Sequence, residues 1–272
     1  MTIKFIIFTT VLLTIWSVFI EPRWVAHRVL DAKFPNIKPL GLTVIHTSDW
    51  HFTKKPLWRV MTHARANAII EDINKTNPDI VLITGDLISE PNQKPTFAES
   101  VEGEIAHTLG KLKASKGVYA VLGNHDNWYN HTKMKLALEK QHIQVLENEA
   151  QLIPSTQLWI AGIGDESTNH ANPFKAIKNI PRLAPSLIMT HDPASFAKLP
   201  RTNGISFSGH THGGQVSIPW YGAPIMPSHA PRSWAYGWVQ HNENKMYVTS
   251  GLGVSILPVR FNMRPEWVEF NI

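Results

Sequence analysis

Residues 42–51 read LTVIHTSDWH, an apolar run that ends in polar side chains. The run is short and rich in β-branched residues, which is typical of a buried β-strand. Similar runs recur at 80–84, 118–122, 158–163, 187–190, 205–208 and 246–250. Helical patterns occupy 58–75, 97–114 and 132–141, and strands with long loops are expected from about residue 205 onward. This alternation predicts an α/β domain.

The composition is that of a folded chain with a large core. The 272 residues are 43% hydrophobic and 17% charged, which excludes a charge-rich disordered protein. No cysteine is present, so disulfide scaffolds, thiolate metal sites and cysteine nucleophiles are excluded. The net charge of +5 favours anionic partners without identifying one. Because the basic residues are scattered along the chain, no nucleic-acid partner is expected.

Potential metal ligands follow five of the predicted strands. They are Asp49, His51, Asp86, Asn124, His125, Asp126, His191, Asp192, His210 and His212. Taken singly, each group has an ordinary structural explanation, such as a turn, a solvated pair or a helix cap. Ligands gather at the carboxyl ends of strands in α/β sheets, so five such strand ends predict one shared site. His210 and His212 alternate along the chain, and in an extended conformation both side chains reach the same region.

Five motifs together resemble the signature set of the calcineurin-like metallophosphoesterases: DWH at 49–51, GDL at 85–87, GNHD at 123–126, THD at 190–192 and GHTHGG at 209–214. The resemblance covers roughly residues 42–270. It implies a four-layer αββα sandwich, preceded here by one N-terminal apolar helix. The chain is most similar to a bacterial membrane-associated branch that also carries a stretch like GLGVSILPVRFNMRPE, at 251–266 here. That branch includes enzymes that split the pyrophosphate of UDP-2,3-diacylglucosamine in lipid A synthesis.

The resemblance also implies a site for two divalent cations. Seven positions match its ligand pattern: Asp49, His51 and His212 for one metal, Asn124, His191 and His210 for the other, and Asp86 as the bridge. His125 would face the phosphate and either stabilise the developing charge or protonate the leaving oxygen, and Asp126 would orient His125. Nitrogen and oxygen ligands suit Mn²⁺, Zn²⁺ or Fe, of which Mn²⁺ is favoured. A hydroxide shared by the two metals would attack phosphorus in line, without a covalent enzyme intermediate.

An uncharged apolar segment, FIIFTTVLLTIWSVFI, occupies residues 5–20. At 1.5 Å per residue a helix of this segment is about 24 Å long, close to the thickness of a bilayer core. We therefore expect a membrane anchor over residues 1–22, a connector over 23–41 and the catalytic domain over 42–272. A cleaved signal peptide and a buried core helix are the alternatives. Four basic residues after the segment predict a catalytic domain on the cytoplasmic face of the inner membrane: Arg23, Arg28, Lys33 and Lys38.

Substrate contacts are predicted for three residues beside the ligand motifs, Trp50, Gln215 and Arg260. Apolar residues near the first and last motifs are expected to form a rim for acyl chains or to serve only in packing: Trp50, Phe52, Pro56, Leu57, Trp58, Trp220 and Tyr221. The expected reaction is hydrolysis of a phosphodiester or pyrophosphate bond in a lipid-linked or nucleotide-sugar substrate. The alternatives are a phosphodiesterase or phosphatase for soluble or envelope substrates and a scaffold without activity, which the complete ligand set disfavours.

Overall fold

The computed structural model describes residues 2–35, 37–55, 59–90, 92 and 100–272. Within these ranges, twelve strands form two six-stranded sheets. In spatial order, the first sheet contains β1 (Ala26–Asp31), β12 (Glu266–Asn271), β2 (Thr43–Thr47), β3 (Ile80–Thr84), β4 (Val118–Val121) and β5 (Ile143–Val145). The second contains β10 (Gly237–His241), β11 (Asn244–Val248), β9 (Gly204–Ser208), β8 (Ser186–Met189), β7 (Trp159–Gly162) and β6 (Glu149–Leu152).

Each sheet has a parallel centre. Strands β2, β3, β4 and β5 are mutually parallel, and so are β7, β8, β9 and β11. The antiparallel pairs are β12 with β2, β6 with β7 and β10 with β11. The run predicted at 80–84 coincides with β3, and the other predicted runs differ from their strands by one or two residues at an end. Parallel strands direct their carboxyl ends toward one edge of the sheet. The metal-ligand motifs come directly after these strands and therefore lie at that edge.

Helices α2 (His63–Lys75), α3 (Val101–Leu109) and α4 (Asn124–Lys140) cover the outer face of the first sheet. Helix α2 begins after Thr62, whose hydroxyl accepts the Arg65 N–H and so caps the first turn. The predicted starts of the first two helices, residues 58 and 97, lie outside the described residues. Helix α4 begins eight residues before the predicted 132, and this places Asn124, His125 and Asp126 in its first turn.

A continuous apolar core lies between the two sheets, with side chains such as Leu82, Tyr119, Phe207 and Phe270. The outer face of the second sheet packs against the short helix α5 (Pro173–Ile177) and the 3₁₀ turn Pro193–Lys198. The predicted four-layer αββα sandwich is therefore confirmed. Its fourth layer is thin because short helical turns supply most of it.

The predicted connector over residues 23–41 is only partly a connector. It contains β1, which pairs in parallel with β12 at the edge of the first sheet. The strand lacks an apolar run because most of its side chains are exposed, so the sequence pattern did not indicate it.

The N-terminal segment is helical. Helix α1 (Thr2–Ile15) continues through a π-helical turn, Trp16–Ile20, and a 3₁₀ turn, Glu21–Arg23. The helix over Ile3–Arg23 contains an 18-residue stretch with a mean hydropathy of 2.2, of which 6% is buried, and it is long and apolar enough to cross a membrane.

Candidate metal centre

The loops that follow β2, β3, β4, β8 and β9 bring the seven predicted ligands together. Each of these side chains is buried, and His210 is the most exposed of them at 6%. The loops are also tied to one another through the backbone. The His51 N–H donates to the Asp86 carbonyl at 3.0 Å, and the His210 N–H donates to the Asp49 carboxylate at 3.1 Å. The site is therefore a rigid junction of five strand ends, drawn from both sheets.

The first ligand cluster contains Asp49, His51 and His212. The two Nε2 atoms of His51 and His212 lie 3.0 Å apart, and Asp49 Oδ1 lies 3.4 Å from His212 Nε2 and 3.9 Å from His51 Nε2. Atoms that each sit about 2.1 Å from one ion are about 3.0–3.5 Å from each other. Two of the three separations lie in this range, and the third, 3.9 Å, is still shorter than the distance of about 4.2 Å between two ligands on opposite sides of one ion, so the cluster can hold a single divalent cation.

The second cluster contains Asn124, His191 and His210. His191 Nε2 lies 3.2 Å from Asn124 Oδ1 and 3.1 Å from His210 Nδ1. Asp86 lies between the clusters: its Oδ1 is 3.3 Å from His191 Nε2, and its Oδ2 is 3.5 Å from His51 Nε2. One carboxylate thus offers an oxygen to each cluster.

Backbone carbonyls fix which ring nitrogens face the second cluster. His191 Nδ1 lies 2.6 Å from the Thr84 carbonyl, and His210 Nε2 lies 2.8 Å from the Pro227 carbonyl. A carbonyl only accepts, so these nitrogens donate, and in the neutral ring that binds a metal the opposite nitrogen carries the lone pair. Those lone pairs, on His191 Nε2 and His210 Nδ1, are the ones required of metal ligands.

The electrostatics of the site also suit cations. Burial lowers the pKa of His51 to about 3, and burial together with His51 holds the pKa of His212 well below its usual range. Both rings are therefore neutral at pH 7, which is the form that binds metal. Burial opposes ionisation of Asp86, but the His191 and His125 rings hold the pKa of that carboxyl well below its usual range. The donor set accordingly fits two divalent cations, one in each cluster.

Strained backbone accompanies the ligands. Five of the seven have positive φ angles, from 46° to 67°: Asp49, His51, Asp86, His210 and His212. Such conformations cost about 1–3 kcal/mol each for residues other than glycine, and they persist only where the surroundings hold them. The strain is retained at the positions that direct ligands into one site, which favours a functional origin.

His125 and Asp126 occupy the first turn of α4 beside the second cluster. The His125 ring does not contact Asp126 as predicted, because its Nδ1 donates to the Ser89 carbonyl at 2.5 Å. The Asp126 carboxylate instead accepts the N–H groups of Gly123 at 2.9 Å, Leu87 at 2.9 Å and Ile88 at 3.2 Å. Burial and the Asp86 charge raise the pKa of Asp126 to about 7. Asp126 therefore joins the two loops that carry Asp86 and Asn124, and Ser89 orients His125.

A cleft of about 800 Å³ opens above the clusters, lined by Asn124, His125 and His210 among others. Two features were missed in the sequence, one in the cleft lining and one outside it. Trp128 is 57% exposed in the cleft, with its ring centroid 5.1 Å from that of His125, one helical turn away on α4. Asp165 follows β7, is buried near the clusters, and its Oδ1 has no hydrogen-bond partner among the described residues. The Gly-Asp pair at 164–165, after an apolar run, was a signal of the same kind as the other strand ends.

Two predicted substrate contacts are contradicted by burial. The Trp50 indole is fully buried and stacks with Phe52, its centroid 6.1 Å away, so it cannot touch a substrate. Arg260 is also fully buried, and its guanidinium donates to the carbonyls of Ser250 and Gly253 at 2.7 and 2.6 Å. Arg260 therefore supports the loop behind His212, whose Nδ1 lies 3.4 Å away.

Gln215, the third predicted substrate contact, is not among the described residues that line the cleft. Its side chain instead forms hydrogen bonds to the loop over residues 255–257. Its amide donates to the Leu257 carbonyl at 3.0 Å and accepts the Ser255 N–H at 2.5 Å. Of the predicted apolar rim, Trp220 and Tyr221 are exposed and Phe52 is buried. The remaining members, Pro56, Leu57 and Trp58, lie outside the described residues.

Comparisons with known proteins agree with this geometry. A family model described as calcineurin-like phosphoesterase matches residues 42–214. The uncharacterized metallophosphoesterase YkuE of Bacillus subtilis is 27% identical over 237 residues, which cover 85% of this chain and 79% of the relative. The phosphodiesterase YaeI of Escherichia coli is 29% identical over 260 residues, covering 91% and 88%. The UDP-2,3-diacylglucosamine pyrophosphatase LpxG of Chlamydia trachomatis is 24% identical over 267 residues, covering 77% and 76%. Because the family model matches more than half of the chain, the chain belongs to the calcineurin-like phosphoesterase family and is a metal-dependent phosphoric ester hydrolase.

Proposed function

We propose that the enzyme hydrolyses a phosphodiester or pyrophosphate bond, with two divalent cations held by the seven clustered side chains. The observation that carries the proposal is Asp86, whose two oxygens lie 3.3 Å from His191 Nε2 and 3.5 Å from His51 Nε2, one in each cluster. When bound there, two cations would lower the pKa of a water and neutralise the phosphate oxygens. Nitrogen and oxygen donors without thiolate favour Mn²⁺, with Zn²⁺ or Fe as alternatives.

In this proposal His125 acts on the leaving group. The bond from Nδ1 to the Ser89 carbonyl holds the ring, and Nε2 lies 4.0 Å from Asp86 Oδ2 at the cleft. The His125 N–H also donates to Asp86 Oδ1 at 2.9 Å, which fixes the position of this residue relative to the bridging carboxylate. A protonated His125 would therefore donate from Nε2 to the oxygen that leaves phosphorus.

The size and charge of the cleft support a diester or pyrophosphate substrate. A volume of about 800 Å³ is large enough for a drug-sized molecule and far exceeds the needs of inorganic phosphate. Lys55 is the one lysine or arginine among the described residues of its lining, and its Nζ lies 3.6 Å from Glu90. A diester carries one negative charge at its reacting phosphorus, so it needs fewer cationic side chains than a monoester dianion. The names of YaeI and LpxG agree with this class, and we propose a lipid-linked or nucleotide-sugar substrate.

The proposed location is the inner membrane, with the N-terminal helix as an anchor and the catalytic domain on the cytoplasmic face. The apolar helix over Ile3–Arg23 supports the anchor, and the basic residues that follow it support the orientation. Digestion of the catalytic domain by a protease added to intact spheroplasts would refute the cytoplasmic orientation.

The test of the reaction is the substitution Asp86→Ala in the Mn²⁺-loaded enzyme. We expect loss of both metal content and hydrolysis of bis-p-nitrophenyl phosphate, because each cluster loses one oxygen ligand. His125→Ala should retain its metal and lose about 10²–10⁴-fold in rate, since a general acid contributes that much.

Asp72→Ala is the matched control, because Asp72 is an exposed aspartate on α2 that pairs with Lys75 at 2.7 Å. It should leave metal content and rate unchanged. Full activity of Asp86→Ala would refute the two-metal assignment. A panel containing UDP-2,3-diacylglucosamine, bis-p-nitrophenyl phosphate and p-nitrophenyl phosphate tests the substrate class, and a preference for the monoester would refute it.

A further inference from the structure

Six large apolar side chains are exposed on two neighbouring loops. We call them the apolar face: Ile218, Trp220, Tyr221, Ile225, Ile256 and Leu257. Trp220, at the tip of its loop, is 105% exposed, and Ile256 is 78% exposed. Single exposed apolar residues are common, but a contiguous group of this kind marks a contact surface.

Hydrogen bonds join the two loops into one surface. The Ser217 N–H donates to the Phe261 carbonyl at 2.9 Å, and the Gln215 amide donates to the Leu257 carbonyl at 3.0 Å. The tip that carries Trp220 is closed by reciprocal backbone bonds between Ile218 and Gly222, at 2.9 and 2.8 Å. The face is therefore held in shape by its own backbone.

The same surface is bonded to the end of the N-terminal apolar helix. The Arg260 N–H donates to the Ser17 carbonyl at 2.9 Å, and the Met263 N–H donates to the Glu21 carboxylate at 2.7 Å. The Arg264 guanidinium lies 3.8 Å from the centroid of the Trp24 ring. Leu257 is only three residues from Arg260, so the apolar face lies beside the point where the helix meets the catalytic domain. A bilayer that contains the helix would lie against the face.

The charges around the face complement an anionic lipid surface. Residues 193–242 and 244–265 include both loops and contain no aspartate or glutamate. Arg232 lies behind the tip, with its guanidinium 4.4 Å from the Tyr221 ring centroid and 3.2 Å from the Tyr221 hydroxyl. Tryptophan, tyrosine and arginine together are the side chains that favour the lipid headgroup region.

The face continues into the cleft. Ile256 belongs to both, and Ser255 beside it also lines the cleft. Ile256 has a φ of 58°, which is unusual for a β-branched residue. The hydrogen bond from the Ser255 N–H to the Gln215 side chain, 2.5 Å long, fixes the position of this part of the loop. The mouth of the cleft would consequently open at the level of the headgroups.

We infer that the apolar face docks onto the surface of the lipid bilayer and presents the cleft to phosphoesters in the headgroup region. Lipid-linked substrates would then reach the ligand clusters without leaving the membrane. This inference rests on the proposed anchor and substrate class.

The first test measures depth and needs no turnover. Because the chain contains no cysteine, Trp220→Cys gives a single labelling site on the full-length protein, reconstituted in nanodiscs of phosphatidylcholine and phosphatidylglycerol. An NBD fluorophore at this site should be blue-shifted and quenched by brominated lipid. Leu183→Cys is the matched control, because Leu183 is 80% exposed and precedes β8, at the end of the sheet opposite to the cleft.

Equal, water-like emission and no bromolipid quenching at both sites would refute the inference. A label at position 220 that is blue-shifted but not quenched by brominated lipid would indicate a protein partner or a second copy, and would refute it as well. Either result would leave the hydrolase assignment intact, because that assignment is judged by the Asp86→Ala test in detergent.

The second test is kinetic. Trp220→Ser and Leu257→Ser should each raise KM about tenfold for a lipid phosphodiester embedded in phosphatidylglycerol vesicles, because membrane binding scales with the apolar area inserted. The rate with soluble bis-p-nitrophenyl phosphate should not change, since neither residue lines the cleft among the described residues. An unchanged KM in vesicles, or an equal loss with both substrates, would refute the docking role.

Discussion

One added methyl group at Gly123 should disrupt the metal centre, although Gly123 is not a ligand. A Cβ at this position would lie 2.2 Å from Asp86 Oδ1 and 2.8 Å from His191 Nε2. The backbone angles of Gly123, φ −98° and ψ −177°, are ones that alanine adopts readily. Gly123→Ala therefore introduces clashes with two ligand side chains and with the Asp86 backbone N, 2.6 Å from the added Cβ, while the φ and ψ of residue 123 itself stay in an allowed region.

The size of the effect follows from the overlap. A non-bonded carbon requires about 3.5 Å of separation, so the Asp86 carboxylate must move by about 1 Å. A displacement of about 1 Å in a catalytic site costs about 100-fold in rate. This corresponds to about 2.7 kcal/mol in the activation free energy. Because Asp86 faces both clusters, we expect both cations to bind more weakly.

The assay is manganese content by mass spectrometry, together with the rate of bis-p-nitrophenyl phosphate hydrolysis. Gly41→Ala is the control, because Gly41 has a φ of 68° and nothing within 4 Å of an added Cβ. That variant gains backbone strain without a clash, and it should keep its metal and its rate. The reasoning from packing would be wrong if Gly123→Ala bound two metals and kept a rate within about threefold of the parent enzyme. That result would show that the Asp86 carboxylate accommodates the added methyl group.

Three further predictions concern metal affinity, stability and pH. Asp126→Ala should weaken Mn²⁺ binding about 10–100-fold, because the loops that carry Asp86 and Asn124 lose the carboxylate that accepts hydrogen bonds from both. Titration of the metal-free protein measures this affinity, and an unchanged value would contradict the role of Asp126. Chelation of the metals should lower the Tm by about 5–10 °C, because ligands that bind only the folded state stabilise it by about 2.7 kcal/mol at a hundredfold excess over Kd. An unchanged Tm would indicate that no metal was bound. Burial lowers the pKa of His46 to about 3, so the unfolded chain binds one more proton between that value and about 6.5. The free energy of unfolding should therefore fall as the pH falls below about 6.5, by up to about 1.4 kcal/mol per pH unit, and His46→Leu should reduce this slope in denaturant titrations; an identical slope in both proteins would contradict the assignment.

Much of the sheet and of the ligand set could be predicted from the sequence because the signals are local. All five residues of β3 are buried, so an apolar run defines the strand completely. The ligand types follow the strands directly, and parallel strand order places their ends at one edge. Edge strands such as β1 gave no such signal, because exposed side chains leave no apolar pattern.

Roles that depend on contacts between distant residues could not be predicted in this way. Asp126 lies next to His125 in the chain, yet it accepts from Leu87 and Ile88 because the β3 and β4 loops meet there. Trp50 lies between two ligands, yet its indole is fully buried and stacks with Phe52, a contact that adjacency in the chain does not reveal.

The sequence by itself determined the fold class and the apolar character of the N-terminal helix, because both depend on short-range periodicity and residue chemistry. The candidate ligands came from motifs at the strand ends that resemble those of a known family. Only the tertiary structure decided that Arg260 is a buried support and that Ser17 is bonded to its backbone, 243 positions away along the chain. Contacts of this kind arise when packing brings separate segments together, and local pattern carries no information about them.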